Sequence, residues 1–406
     1  MTQKTPKKTC SKCERTLLLS EFDKDARKTD GHRSRCKECR SRKALKTTDK
    51  KAPSPLDTVA DVVKGLANQE RKFSDGSLNR SVSLAVASEK IFLDDAAKVA
   101  ALFKDKIVPV GYARKAPQDT ARSSVLFLSD LHLGSELSAL DNPTPFRGVE
   151  ESRRLESILR RVLHKSDGRR ELVLLLGGDL IEGSLQHDQR DGLPLAEQQY
   201  VFWSYISRFI GYCAAEFPKV RVFCQPGNHG RNKLRHHGRA TSSKWDSFEW
   251  SMYKALEMMC SGLKNTSFDI PFRALSLVKI QGQTLLFTHG DTEIKLGDPD
   301  TQTRANQLHL LTLRESGEIE GRFDGACFGH YHKARYQVGR VPCLFNGALV
   351  PPNGHARTEG YLGERCGQWY FESESGRLFS SVEFLEVGRD TDADSSLGEM
   401  IPSVRF

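Results

Sequence analysis

No apolar run in the sequence is long enough to cross a bilayer, which takes about 20 consecutive apolar residues. Its opening residues, Met-Thr-Gln-Lys-Thr-Pro-Lys-Lys, lack the apolar core of a secretory signal. Both absences point to a cytoplasmic protein with no membrane partner. Paired cysteines are scarce as well. Of ten cysteines, Cys213, Cys224, Cys260, Cys327, Cys343 and Cys366 have no paired spacing. They read as thiols in a reducing compartment, and a disulfide framework is excluded. Most of the chain also lacks net charge. The total is +9, yet residues 1–51 hold 17 Lys+Arg against 7 Asp+Glu, leaving −1 on the rest. A basic appendage on a near-neutral body suggests a nucleic-acid partner, DNA ahead of RNA; a solubilising tail is the plainer alternative.

At 406 residues the chain exceeds one small domain. Four segments are expected: a metal-binding module at 1–45, a linker with a small helical segment at 46–120, a catalytic body at 121–387, and a tail at 388–406. In the first, Cys10-Ser-Lys-Cys13 and Cys36-Lys-Glu-Cys39 form two CxxC knuckles. Each knuckle aims two thiolates at one point, and two of them complete a tetrahedral zinc shell. No βαβ pattern surrounds either CxxC, which disfavours a redox pair. Arg33, Arg35, Lys37, Arg40, Arg42 and Lys43 cluster about the second knuckle and suit phosphate contacts, which position without reading sequence. A protein-docking role is the competing reading. With Leu19-Ser20-Glu21-Phe22 and Asp30-Gly31-His32-Arg33 between the knuckles, the segment resembles small, often phage-associated, zinc modules.

Lys46–Pro55 has the composition of a linker. Leu56, Val59, Val62, Val63 and Leu66 then repeat at helical spacing, and Asp94–Lys106 is a second expected helix. Ser81–Leu93 between them fits a helix or a hairpin. The segment suits a small helical or winged-helix element, or a spacer.

The body is organised around Leu172–Glu182, Leu-Val-Leu-Leu-Leu-Gly-Gly-Asp-Leu-Ile-Glu. Five apolar residues predict a strand buried on both faces, and the turn after it delivers Asp179. Sites in open α/β sheets form past such carboxyl ends. The construction recurs. Ser124–Leu128 leads to Asp130-Leu131-His132, whose i and i+2 side chains share a side if the segment is extended. Val220–Cys224 leads to Gly227-Asn228-His229, Leu285–Thr288 to His289-Gly290-Asp291, and Gly325–Phe328 to Gly329-His330-Tyr331-His332. Helices are expected at Glu150–His164, Gln198–Phe217 and Ser247–Met259. Mixed His, Asp and Asn donors suit Mn²⁺, Fe or Zn²⁺, with Mn²⁺ placed first.

The ordered set DxH, GDxxE, GNH, a lone His and GHxH resembles the calcineurin-like metallophosphoesterase superfamily over residues 120–385. The resemblance implies an α/β (α+β) class: a two-layer β sandwich flanked by helices, with a dinuclear metal site. It implies Asp130, His132 and His332 as ligands of one ion, Asn228, His289 and His330 as ligands of the other, and Asp179 as the bridge. His229 becomes the catalytic histidine, and Glu182 the residue that orients it. Protein phosphatases of the superfamily carry an acid and an arginine where this chain has Gly230 and Gly183, which argues against that activity. The nuclease branch is the nearest in character, although its ATPase-docking elements are not recognisable. An ATPase partner and the oligomeric state stay open. The basic stretch Arg231, Lys233, Arg235, His236 and His237 is read as substrate contact or a solvated loop, and His187 as surface.

Overall fold

The computed structural model describes residues 7–12, 14–27, 29–37, 121–137, 146, 148–165, 169–183, 192–232, 246–292, 294, 296–319, 321–352, 364–388 and 399–404. The helices expected between 46 and 120 lie outside the described residues, as does His187. The chain divides into two compact units, 1–89 and 90–406.

The first unit contains two short hairpins. β1 (Lys7–Thr9) pairs with β2 (Thr16–Leu18), and β3 (Phe22–Lys24) pairs with β4 (His32–Cys36), both antiparallel. Among its described residues the buried apolar core is Cys10, Phe22 and Cys36, with Leu17 packed against them.

The second unit is a two-layer β sandwich flanked by helices, the expected class. β5 (Arg122–Leu128), β6 (Glu171–Leu176), β7 (Lys219–Cys224) and β8 (Thr266–Asp269) run parallel. The antiparallel strands β14 (Gly367–Glu374) and β15 (Arg377–Glu386) complete a six-stranded sheet, order β15-β14-β5-β6-β7-β8. The second sheet has β9 (Leu275–Ile280), β10 (Gln283–Thr288), β11 (Gly325–Phe328), β12 (Arg335–Gln337) and β13 (Cys343–Phe345), order β12-β13-β11-β10-β9.

Alternation of side chains decides which layer each residue joins. Val125, Phe127, Val173 and Leu175 point between the sheets, against Val278, Leu285, Phe287 and Cys327. Leu126, Leu172, Leu174 and Leu176 point the other way, under α1 (Gly148–His164), α2 (Leu195–Glu216) and α3 (Phe248–Met259). α4 (Thr303–Ser316) covers the outer face of the second sheet through Leu310 and Leu313. β6 is therefore buried on both faces, as its unbroken apolar run predicts.

Part of the C-terminal stretch is described. Residues 399–404 dock on the body: Met400 N and Ile401 N donate to Glu156 Oε2 at 3.0 and 2.9 Å, and Ile401 is fully buried. The buried Glu156 carboxylate needs donors, and an apolar side chain needs a seat; this segment supplies both.

Candidate metal centre

All five motif loops follow the carboxyl ends of parallel strands. β5, β6 and β7 carry three of them, and β10 and β11 carry the other two. The two sheets thus contribute to one site at one end of the sandwich. The local backbone is not the extended one that the Asp130-Leu131-His132 spacing suggests. Asp130 (φ 52°), His132 (φ 47°), Asp179 (φ 51°), His330 (φ 73°) and His332 (φ 53°) all adopt left-handed conformations. They are five of the seven non-glycine residues at positive φ among the described residues. Side chains sharing a direction here come from tight turns, not from strand alternation. Such strain persists only where the surroundings over-determine it, and it concentrates at functional sites.

The surroundings are dense. Asp130 N donates to Gly178 O (2.9 Å) and His132 N to Asp179 O (3.0 Å), fastening the first two loops together. His330 N donates to Asp130 Oδ1 at 2.9 Å, joining the last loop to the first. Two glycines permit a close approach of the second and third loops. A Cβ on Gly178 would stand 2.4 Å from Gly227 N, and one on Gly227 would stand 2.0 Å from Asp179 Oδ1.

The donor atoms form three overlapping clusters. Asp130, His132 and His332 are one, Asp179, His289 and His330 another, and His132, Asp179 and His229 a third; within each the atoms lie within 4.8 Å of one another. His132 Nε2 and His332 Nε2 stand 3.1 Å apart, and His332 Nε2 is 3.4 Å from Asp130 Oδ1. His289 Nε2 lies 3.1 Å from both Asp179 Oδ2 and Asn228 Oδ1. Asp179 therefore reaches donors of both outer clusters. The tautomers agree with ligation. His132 Nδ1 donates to Glu182 Oε2 (2.8 Å) and His289 Nδ1 to Gly177 O (2.7 Å), so that each Nε2 faces inward and becomes a ligand once it carries no proton. Imidazole nitrogens facing one another and a carboxylate, most of them buried, fit divalent cations.

Sequence reading makes Glu182 the residue that orients His229, and the contact runs through its main chain and not its carboxylate. The carboxylate instead bonds His132 Nδ1 and accepts from Ser135 Oγ at 2.9 Å. His229 Nδ1 is held by the main-chain carbonyl of Glu182, at 2.7 Å. The side chain turns back toward His132 because it is almost fully buried and that imidazole is the donor within reach. His229 Nε2 faces Asp179 Oδ2 at 4.0 Å, and its ring stands edge-on to His132 with centroids 4.5 Å apart.

Charge follows the same geometry. Burial opposes an imidazolium at His289, but Asp179 beside it prevails and lifts the pKa to about 9. His229 is raised too: burial again opposes, and the Asp179 and Glu182 charges prevail. His330 falls to about 4, through burial and then repulsion from His289. Asp179 stays ionised despite burial, held well below the carboxylate range by His289 and His229. Without metal, a proton at His289 stands in for part of the missing positive charge. Metal uptake must displace it, so affinity falls as pH falls.

A cleft of about 400 Å³ opens over these residues. Its walls carry Lys333, Arg365, Asp298 and Glu364, with Val350, Pro351 and Pro352 as an apolar part. Of the basic stretch after the His229 turn, only Arg231 is described. Its Nε donates to Asn228 O at 3.2 Å and its guanidinium lies 3.3 Å from Asp291, so it ties the Asn228 loop to the His289 loop. Lys233, Arg235, His236 and His237 lie outside the described residues.

Some of the machinery left no mark in the sequence. Ser129 Oγ donates to Asp130 Oδ2 at 2.5 Å, and Asn346 Nδ2 supports that hydroxyl from β13's far end at 3.0 Å. Asn346 lies 216 residues beyond Asp130, so no local pattern could pair them.

In the first unit, Cys10 and Cys36 come together. Cys36 N and Lys12 N point at Cys10 Sγ, at 3.3 and 3.5 Å. Amide donors on sulfur favour a thiolate. Cys13 and Cys39 lie outside the described residues, as do Arg40, Arg42 and Lys43. Arg35 is exposed, Lys37 Nζ reaches Ser20 O at 2.8 Å, and Arg33 lies 3.9 Å from Asp25.

No helix among the described residues is long and apolar enough to cross a membrane. Comparison with curated proteins gives no match. Among solved structures, a double mutant of Vps29 from Entamoeba histolytica is 13% identical, with a TM-score of 0.29, covering 65% of this chain and 99% of that one. A putative 5′-nucleotidase from Staphylococcus aureus, in complex with alpha-ketoglutarate, is 11% identical at a TM-score of 0.30, covering 66% of this chain and 55% of its own. A 5′-nucleotidase from Candida albicans is 11% identical at 0.32, covering 69% and 54%. This chain thus spans about half the length of either nucleotidase. The family described as calcineurin-like phosphoesterase matches residues 123–334, a little over half of the sequence, with every clustered donor inside the match. This chain belongs to the calcineurin-like phosphoesterase family.

Proposed function

We propose that the protein is a dinuclear-metal phosphodiesterase acting on nucleic acid, DNA ahead of RNA, with a Cys10, Cys13, Cys36 and Cys39 zinc module as its tether. The hydrolytic part rests on the convergence of the three donor clusters at one end of the sandwich. Asp130, His132 and His332 would hold one ion, Asn228, His289 and His330 the other, with Asp179 between them. When bound, the ions, Mn²⁺ ahead of Fe or Zn²⁺, supply a nucleophile from water and neutralise phosphate charge.

The chain's own residues do the rest. The Glu182 carbonyl fixes the His229 ring, so that Nε2 faces the cleft. Asp179 and Glu182 favour the protonated ring, and two nearby cations would draw its pKa back toward neutrality. That suits a proton donor to the leaving oxygen. Glu182 and Gly177 O hold His132 and His289 in the tautomer that keeps each Nε2 inward.

The nucleic-acid part rests on charge: residues 1–51 carry 17 basic and 7 acidic residues. Exposed Arg35 and Lys37 belong to that set. A second reading, a small-molecule phosphodiesterase, is favoured by the cleft wall, where Lys333 pairs with Asp298 and Asp300, Arg335 with Glu364 and Arg365 with Glu386, so that its basic groups are offset by acids and offer little pull on a long polyanion.

The test is digestion of labelled single- and double-stranded DNA and RNA with Mn²⁺, Mg²⁺ or EDTA, His229→Asn serving as control. A chromogenic phosphodiester is hydrolysed in parallel, with and without excess DNA. Metal-dependent cleavage of a polynucleotide supports the proposal. Turnover of the small ester alone, unaffected by DNA, supports the second reading and removes the first.

A further inference from the structure

One buried acid belongs to no recognised motif. Glu249 lies in the first turn of α3, fully buried, 20 residues beyond His229 in the sequence. Its carboxylate oxygens go to two different loops. Oε1 accepts from Leu180 N at 2.5 Å, and Oε2 accepts from Gly227 N at 2.6 Å. Leu180 directly follows Asp179, and Gly227 directly precedes Asn228. One side chain thus spans the turn carrying the bridging carboxylate and the turn carrying Asn228 and His229.

Two converging N–H donors need two acceptors at one point. A carboxyl group offers two oxygens there; burial and the nearby Asp179 charge raise its pKa to about 7, and the two N–H donors favour its ionised form. The arm is itself held. Ser247 caps α3, and its Oγ accepts from Glu249 N at 3.2 Å. Gly230 leaves the room the arm needs, since a Cβ there would meet Glu249 Cγ at 2.6 Å. The two loops already approach as closely as glycine backbones allow, so a displacement of either would change the Asp179–Asn228 separation directly.

We propose that Glu249 is a positioning residue that clamps the Asp179 and Asn228 turns at the spacing the two-metal centre requires. It rests on the phosphoesterase reading, and it concerns a residue that touches neither metal nor substrate. Glu249→Gln keeps the shape but replaces one acceptor with an NH₂ group, which faces a backbone donor. One clamp arm then opens while the helix stays.

The metal-free wild type and Glu249→Gln are titrated with Mn²⁺ by calorimetry, followed by electron paramagnetic resonance at two equivalents. Losing a partner that orients metal ligands typically costs about 10–100-fold in affinity. The expected result is a loss of that size for the variant, and an uncoupled Mn²⁺ spectrum where the wild type shows an exchange-coupled pair. Thermal melting of the metal-free forms shows whether the variant folds. Equal affinity and equal coupling in a folded variant overturn the clamp and leave the two-metal reading intact. A wild type that takes up no ion pair sinks that reading instead. Should the variant not fold, amide exchange in the wild type decides. Leu180 and Gly227 amides held by a buried carboxylate exchange as slowly as strand amides; exchange at loop rates overturns the proposal.

Discussion

Glu151 offers a stability measurement whose size follows from its surroundings. It is fully buried in the first turn of α1, and Oε1 accepts from Gly134 N at 2.7 Å, holding the turn two residues past His132. Oε2 is buried with no hydrogen-bond partner. Burial, with Glu136 and Glu182 adding repulsion, raises its pKa from 4.5 to about 8. Because the folded-state value lies above the unfolded one, the unfolded chain ionises first as pH rises. Stability from this group is complete below pH 4.5 and declines up to about pH 8. One proton is worth about 1.4 kcal/mol per pH unit, so the whole window amounts to on the order of 5 kcal/mol. Glu151→Gln can keep the bond from Gly134 and does not titrate. The assay is urea unfolding of metal-free protein at pH 5, 6, 7 and 8, followed by tryptophan fluorescence. All four tryptophans lie in the second unit, so the signal reports the body alone. The expected outcome is a variant that gains on the wild type by roughly 1 kcal/mol per pH unit across this range. Identical pH dependence in the two proteins refutes the reasoning, since it would place the Glu151 proton outside the folding equilibrium.

Asp179→Asn removes the carboxylate shared by two of the three clusters; activity near background and loss of metal from the body are expected, while metal analysis should still find the zinc proposed for the N-terminal module. His229→Asn keeps both ions and loses on the order of 10²–10⁴-fold in rate, less for a substrate with a good leaving group; an emptied metal site would refute its role as proton donor. Glu182→Gln weakens metal binding by about 10–100-fold through His132 and moves the His229 limb of the pH profile to lower pH, because the carboxylate charge that favours the protonated ring is lost while the main-chain carbonyl still holds it. Deleting residues 1–51 leaves small-ester hydrolysis intact and flattens the salt dependence of binding to long DNA by roughly 3–4 units of slope, if about four phosphate contacts are lost; equal slopes for the two proteins would reassign the module to a protein partner.

The strands of the parallel core were legible because each is a continuous apolar run ending in small residues, and β6 is the clearest. The antiparallel pair β14–β15 was not. β15 mixes Glu, Ser and Arg with aromatics because it forms the partly exposed edge of the sheet; β14 lies buried inside it, but Gln, Glu and Ser interrupt its apolar run. The donors were legible as residue types at fixed places after strands. Their support was not: Glu249 and Asn346 act across long separations, where spacing carries no information. Glu182 shows the limit within a motif. Its position was correctly singled out, but only coordinates reveal that its side chain and its carbonyl serve different histidines.

The left-handed backbone at five clustered residues joins these observations. Each such residue costs on the order of 1 kcal/mol, so together they approach the net stability of an ordinary domain. The cost is localised at one end of the sandwich, and the hydrogen bonds that offset it converge there. Backbone amides of the first loop reach carbonyls of the second, Asp130 accepts from the fifth, and Glu249 holds the second to the third. An arrangement that gathers three imidazole-carboxylate clusters in a nearly dry space is repulsive when empty, and the proton on His289 relieves only part of that. Cations are what would relieve the remainder. Metal should therefore stabilise the body against unfolding, by about 1.4 kcal/mol for each tenfold excess over its dissociation constant. The N-terminal module, if it binds the proposed zinc, should lose its fold when that metal is stripped. Chelation followed by melting separates the two units. A body whose melting temperature does not fall in EDTA would mean that its loops hold their strained turns without any ion, and the clusters would then be a scaffold feature instead of a metal centre.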